Sequence, residues 1–170
     1  MESQPAGPAI AIRRLGVADA EDYRTIRLAA LAREPEAFGS VYDVEVVRPI
    51  EAFAERLATS HVFGAYAGER IVGLAGFKQE SGPKDNHKGF VWGLYVRPSA
   101  RGQSAARALM AAVIGCARER VEQLTLAVVE GNDAARTLYE KFGFEVYGLE
   151  PRALKSATGY RNEVLMVLFL

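Results

Sequence analysis

The stretch Phe90-Val91-Trp92-Gly93-Leu94-Tyr95-Val96-Arg97-Pro98-Ser99-Ala100-Arg101-Gly102-Gln103-Ser104-Ala105-Ala106 decides how this chain is read. Its first seven residues are rich in aromatic and β-branched types, which predicts a strand, and Pro98 closes it. Beyond the small residues, Ala106, Leu109, Met110, Val113, Ile114 and Ala117 keep the rhythm of a helix that reaches Arg120. Leu124 to Val129 is an apolar run that predicts a buried strand. Strand, helix and strand from Phe90 through Val129 form a βαβ unit, so the two strands should lie parallel with a right-handed crossover. A strand that runs through small residues into a helix leaves the first helical N–H groups free. With the helix dipole these form an anion site. Gly102, Ser104, Ala105 and Ala106 let a phosphate approach the backbone, and Arg101 and Arg107 add positive charge. On these residues alone, a plain turn with Ser104 as N-cap is equally open.

Working toward the N-terminus, residues 81–86 are loop chemistry, and Ile71–Gln79 and His61–Tyr66 read as a hairpin turning at Gly68-Glu69. Ile50–Thr59 is a helix with Ile50, Phe53 and Leu57 on one side, and residues 36–49 read mostly as loop. Asp19 opens an earlier helix whose apolar stripe is Tyr23, Ile26, Ala30 and Leu31, and Pro35 stops it. Ile10–Arg14 is a first strand, and residues 1–8 are expected to be a flexible N-terminus preceding one domain over 9–170. Toward the C-terminus, Asn132–Phe142 is a helix stopped by Gly143, and Phe144–Leu149 and Val164–Leu170 are strands joined by a long polar connection. The expected fold class is α/β, in a single domain with no repeat or linker.

Composition bounds the function. The chain has 170 residues, 49% hydrophobic and 25% charged, which is the mix of one folded domain rather than of disorder. Lys plus Arg and Asp plus Glu are 21 each, so no net charge draws the chain to nucleic acid or to an anionic membrane, and neither partner is expected. One cysteine, Cys116, precludes an intrachain disulfide, and with only His61 and His87 no metal site is expected. Cys116 lies inside the strongest helix and reads as a structural thiol. Met1-Glu2-Ser3-Gln4-Pro5 lacks a basic n-region, and the apolar run Val164–Leu170 is too short to span a bilayer, so a cytoplasmic location is expected.

A second segment runs Asn132-Asp133-Ala134-Ala135-Arg136-Thr137-Leu138-Tyr139-Glu140-Lys141-Phe142-Gly143-Phe144. Asn132 caps the helix, and Tyr139, seven residues on, leaves from nearly the same face. Taken together, the two segments resemble the GNAT superfamily of acyl-CoA-dependent N-acyltransferases. Arg101–Ala106 is similar to that family's pyrophosphate loop, Arg/Gln-x-x-Gly-x-Gly/Ala, and Asn132–Phe144 to its second signature, Asn-x-x-Ala-x-x-Leu-Tyr-x-x-x-Gly-Phe. Ser104 departs from the pattern, standing where the loop has its first bare glycine.

The resemblance implies a twisted, mixed sheet of six or seven strands flanked by about four helices, with central strands splayed to admit the cofactor. It implies transfer of an acetyl group from acetyl-CoA to a primary amine of a small molecule or peptide. Backbone N–H groups near Leu94 and Val96 would polarise the thioester. Leu94, Tyr95, Val96, Arg101, Gly102, Gln103, Ser104, Ala105, Ala106, Arg107, Asn132, Ala135 and Tyr139 would contact the cofactor. Tyr139 would protonate the leaving thiolate. No general base is evident. Glu45, His87 and an ordered water are the candidates, each against the plainer reading of a solvated surface residue. Tyr42, Asp43 and Trp92 would wall the acceptor site, and Asp43, Glu45 and Glu51 would suit any cationic amine. The connection from Glu150 to Glu163 reads as a further wall or as a homodimer contact. Ser104 and the missing base motivate an alternative, a non-catalytic acyl-CoA-binding or sensing module. A P-loop nucleotide site is disfavoured because no Gly-Lys-Ser/Thr follows the loop.

Overall fold

The computed structural model describes residues 8–102 and 104–170. The expected loose N-terminus, Pro8 apart, therefore lies outside the described residues, as does Gln103. The strands are β1 (Ile10–Arg14), β2 (His61–Ala67), β3 (Arg70–Gln79), β4 (Lys88–Val96), β5 (Gln123–Val129), β6 (Glu145–Ser156) and β7 (Gly159–Phe169). The helices are α1 (Ala20–Arg33), α2 (Tyr42–Glu45), α3 (Ile50–Thr59), α4 (Ala105–Arg118) and α5 (Asp133–Lys141). One seven-stranded sheet runs β1-β2-β3-β4-β5-β7-β6. Every neighbouring pair is antiparallel except β4 and β5, the parallel pair of the βαβ unit.

Each face of the sheet carries its own core. On one, Leu109, Met110, Val113 and Ala117 of α4 and Tyr139 of α5 cover Phe77, Val91, Leu124, Leu126, Val128, Val164 and Met166. On the other, Tyr23, Ile26 and Ala30 of α1 and Phe53 and Leu57 of α3 cover Val62, Leu74 and Tyr95, with Trp92 packed alongside. Strand alternation makes this division, since successive side chains leave opposite faces.

β4 and β5 stay together only briefly. Their register runs Lys88–Gln123, Gly89–Leu124 and Phe90–Thr125, and then stops. Beyond Phe90 the β3–β4 register shifts, and Gly93 takes a φ of +76°, a conformation that L residues rarely hold. β4 thus bends away while β5 continues straight along β7 through Val129.

Two expectations are corrected. The polar connection after Leu149 is a long hairpin, in which β6 and β7 pair from Glu145–Val167 out to Ser156–Gly159. Most of β6 is exposed, so no apolar alternation marks it; cross-strand hydrogen bonds hold it instead. Asp19 stands at the N-cap position of α1 but turns its carboxylate back onto Gly16 N–H at 2.7 Å and onto Arg13 at 3.0 Å.

Gly73 shows how closely α4 sits on the sheet. A Cβ there would stand 2.9 Å from the Tyr95 carbonyl and 3.2 Å from Leu109. Gly73→Ala should destabilise by about 1–3 kcal/mol, as overpacking does. Thermal unfolding should show Tm lowered by roughly 3–9 °C.

Candidate active site

The parting of β4 and β5 opens a cleft of about 600 Å³. It is lined by Trp92, Gly93 and Leu94 of β4, by Ala127–Val129 of β5, and by Asn132, Ala135 and Tyr139 of the segment that follows. Along β4, Arg97 N–H donates to Val72 of β3 at 2.7 Å. Ladder amides alternate sides, so Tyr95 N–H also points to β3, while those of Leu94 and Val96 point to the open edge. An amide edge left open in this way can take a ligand's oxygen.

At the end of β4 a single 3₁₀ turn, Pro98–Ala100, leads to Gly102 (φ +78°) and Ser104 (φ +60°), and then to α4. The first amides of α4, which begins at Ala105, have no partner within the helix. Ser104 makes no side-chain cap bond, which leaves those amides to an incoming anion. The position explains why a glycine suits it: the left-handed conformation costs an L residue about 1–2 kcal/mol. Ser104 bears that strain without closing the turn, and a Cβ on Gly102 would also meet open space. The residues present therefore fit a pyrophosphate held by backbone. Arg107 is exposed on α4. Arg101 is otherwise engaged: its Nε donates to the Val96 carbonyl at 3.0 Å, and its guanidinium pairs with Glu34 at the cleft wall.

Asn132 Oδ1 accepts the Ala135 N–H at 3.3 Å, the cap expected of it. Two turns on, Tyr139 is 8% exposed, edge-on to Phe144 at 5.8 Å, and reaches the cleft. Burial pushes its phenol up to about 12. At neutral pH the group keeps its proton, so it can donate but not accept.

Neither sequence candidate for the base stands free in the cleft. Glu45 is 2% exposed and no solvated surface group. Its Oε2 accepts from Arg56 Nη1 at 3.0 Å and lies 3.5 Å from Arg27 Nε. Burial alone would raise its pKa, but the Arg56 hydrogen bond and the fields of both arginines outweigh it and hold the carboxyl below its ordinary value. A carboxylate held this way is a poor proton acceptor. His87 precedes β4 at the paired end, where its carbonyl accepts from Glu122 and Gln123, at the opposite end of the strand from Leu94 and Val96. Asp43 and Glu51 are exposed; Trp92 does line the cleft.

The cleft holds a carboxylate that the sequence reading passed over. Glu163 on β7 is half-buried and lies opposite Val129, one strand beyond the parting. Val164, Met166 and Leu168 face α4, so Glu163 faces the α1–α3 side. Glu150 stands directly across from it on β6. Like charges so placed destabilise a sheet. Burial first, and then Glu150, raise the Glu163 pKa. Arg27 and Arg56 close the cleft on the helical side. One signal pointed to Arg27: a charge four residues after Tyr23, on the core stripe of α1.

The Acetyltransferase (GNAT) family profile matches residues 25–144. The chain belongs to the GNAT family. It is an acyl-CoA-dependent N-acyltransferase by that membership, and GNAT acetyltransferases use acetyl-CoA to modify amines. Among curated proteins none matches the chain. Solved structures share the fold. A ribosomal-protein-alanine N-acetyltransferase from Brucella melitensis is 24% identical with a TM-score of 0.82, over 94% of this chain and 99% of that one. An acetyltransferase of the GNAT family from Streptococcus pneumoniae is 19% identical with a TM-score of 0.84, over 95% and 99%. The yncA protein of Salmonella typhimurium, solved with its cofactor acetyl-CoA, is 20% identical with a TM-score of 0.79, over 95% and 94%. The sheet and helices match the GNAT fold, as expected. Among the described residues no helix is long and apolar enough to cross a membrane.

The Glu45 cluster gives this GNAT chain a pH signature in stability. A depressed folded-state pKa stabilises above the unfolded value of about 4.3, and the contribution is lost as pH falls through the folded pKa. Glu45→Gln should cost about 3 kcal/mol at neutral pH, because it leaves two guanidinia unpaired. Chemical denaturation of both proteins across pH should show that gap closing in acid.

Proposed function

We propose that this GNAT enzyme transfers acetyl from acetyl-CoA directly to a primary amine, with Tyr139 as general acid and Glu163 as the proton acceptor. One observation carries the reading. The parted β4 edge offers the Leu94 and Val96 N–H groups to a cleft that Tyr139 enters from the α4–α5 side and Glu163 from the α1–α3 side. The two side chains reach one gap from opposite sides, and burial raises both pKa values, which keeps Tyr139 protonated and makes Glu163 the stronger base.

Acetyl-CoA supplies an activated thioester. The backbone at Gly102 and at Ser104 through Arg107 holds its pyrophosphate, and the Asn132–Ala135 turn flanks its arm. The Leu94 and Val96 amides accept the charge that grows on the thioester oxygen. Glu163 takes one proton from the ammonium and passes it to solvent, the freed amine bonds to the acetyl carbon, the C–S bond breaks as Tyr139 gives its proton to the sulfur, and the new amide nitrogen sheds its second proton to solvent. The Tyr139 phenoxide regains a proton when product leaves. Donation from a phenol near 12 to an ordinary thiolate near 8.5 is uphill by about 5 kcal/mol. The same dry site also raises the basicity of the thiolate, which narrows that gap.

Two variants test the pair. Tyr139→Phe should lower kcat by about 10²-fold or more while acetyl-CoA still raises Tm. Equal turnover in that variant would remove Tyr139 from the acid role. For wild type, kcat/KM should rise with pH through the raised Glu163 pKa, because only the ionised carboxylate accepts a proton. Glu163→Gln should lower the plateau and abolish that acidic limb, read by free-thiol release across pH. An acidic limb unchanged in this variant would assign it to another group.

A further inference from the structure

We propose that the acceptor is a free amino acid, its carboxylate bound by Arg27 and Arg56 and its amine presented to Glu163. This rests on the acyl-transfer reading above and names the substrate class of the same cleft.

One charge in the cleft wall does not balance. Arg27 is 7% exposed. Its Nη2 donates to Ser40 Oγ at 2.9 Å, but among the described residues its buried Nε has no hydrogen-bond acceptor. Glu45 Oε2 is within ion-pair range of that Nε, at 3.5 Å, too long for a well-formed hydrogen bond, and the same oxygen already accepts from Arg56 at 3.0 Å. Two guanidinia therefore share one carboxylate, and one positive charge is left over. A buried charge in excess is costly unless a counter-ion arrives. The excess faces the cleft, because both arginines line it. Arg27 Nη1 lies 3.9 Å from where a Cβ on Gly93 would stand, which brings it to the bend of β4 where the strands part.

The surroundings select the counter-ion. The Arg27 guanidinium sits 5.6 Å from the Phe38 ring centre and 5.9 Å from that of Trp92. These rings exclude water without supplying a charge. A planar guanidinium matches a carboxylate in two parallel hydrogen bonds. One excess charge balances a monoanion, whereas a phosphate monoester carries close to two at neutral pH. Across the cleft, Glu163 presents the opposite sign. The other charged side chains of the lining are Glu34, engaged with Arg101, and Lys78. One wall is positive and the facing strand negative, which is the complement of a zwitterion.

The test compares each standard L-amino acid with its α-amide and its decarboxylated amine. Trp92 is the only tryptophan, so its emission reports occupancy of the cleft in the CoA-loaded protein. Turnover with acetyl-CoA is read by free-thiol release. At least one acid should bind and react about 10–100-fold better than its amide, the range of a charge-assisted hydrogen bond. That preference should collapse toward unity in Arg56→Gln, whose parent side chain is 28% exposed and so the more replaceable of the two. Amides or simple amines that perform as well as acids would overturn the proposal. So would the absence of any acid binding at roughly ten times the usual KM ceiling of about 1 mM. Failure of CoA and acetyl-CoA to raise Tm would instead sink the transferase reading, and the acid-against-amide binding ratio would still decide the carboxylate site.

Discussion

The structure depends on a failure of pairing. β4 and β5 share three residue pairs and then separate, although both strands continue. A sheet that gives up a run of backbone hydrogen bonds in its centre loses stability at each one. What permits the separation is local: the register shift against β3 and the left-handed Gly93 swing the outer half of β4 away. What makes it useful is topological. The βαβ crossover starts α4 at the far end of β4, and α5 starts at the far end of β5. Both helix starts therefore stand at the mouth of the same gap, one with uncapped amides and the other bringing Tyr139. Ligand sites in open α/β sheets lie at the carboxyl ends of the strands for the same reason.

That half of the site was legible because it is contiguous. A strand, a small-residue turn and the start of a helix occupy seventeen residues in one run, Phe90–Ala106, and a second run, Asn132–Phe144, holds the cap and the tyrosine. Local rules read such runs well, and Ile50–Thr59 and the hairpin of β2 and β3 were legible through the same periodicities. The β6–β7 hairpin was not. Its outer part exposes both faces, so neither period of hydrophobicity is written in it, and only the cross-strand ladder reveals it.

The other half of the site was illegible for a different reason. Arg27, Arg56 and Glu163 come one each from α1, α3 and β7, and Trp92 of β4, whose place in the wall the sequence did predict, lines the cleft with them. No spacing links them, and each alone reads as a surface charge or a packing residue. Glu45 illustrates how composition misleads. A glutamate in a stretch without a clear period is solvated by expectation, yet the short α2 folds it under two arginines and buries it. Its candidacy as a base fails on electrostatics, because the partners that make it tolerable in the interior also hold its proton off.

Stability does not explain why the chain keeps such a cluster. Ion triads in protein interiors are often matched or bettered by apolar side chains of similar volume, because desolvating each charge costs as much as pairing returns. Tyr23 and Phe53 already pack edge-to-face beside the cluster at 5.9 Å, so an apolar filling was within reach of this fold. The same holds for Glu163, set against Glu150 on a strand whose next residues on the same face are Leu165 and Val167. In both places the sheet and its helices hold a charge that packing alone would have removed, and both charges line one cleft. Their common address is the physical argument that they serve what enters the cleft rather than the fold around it.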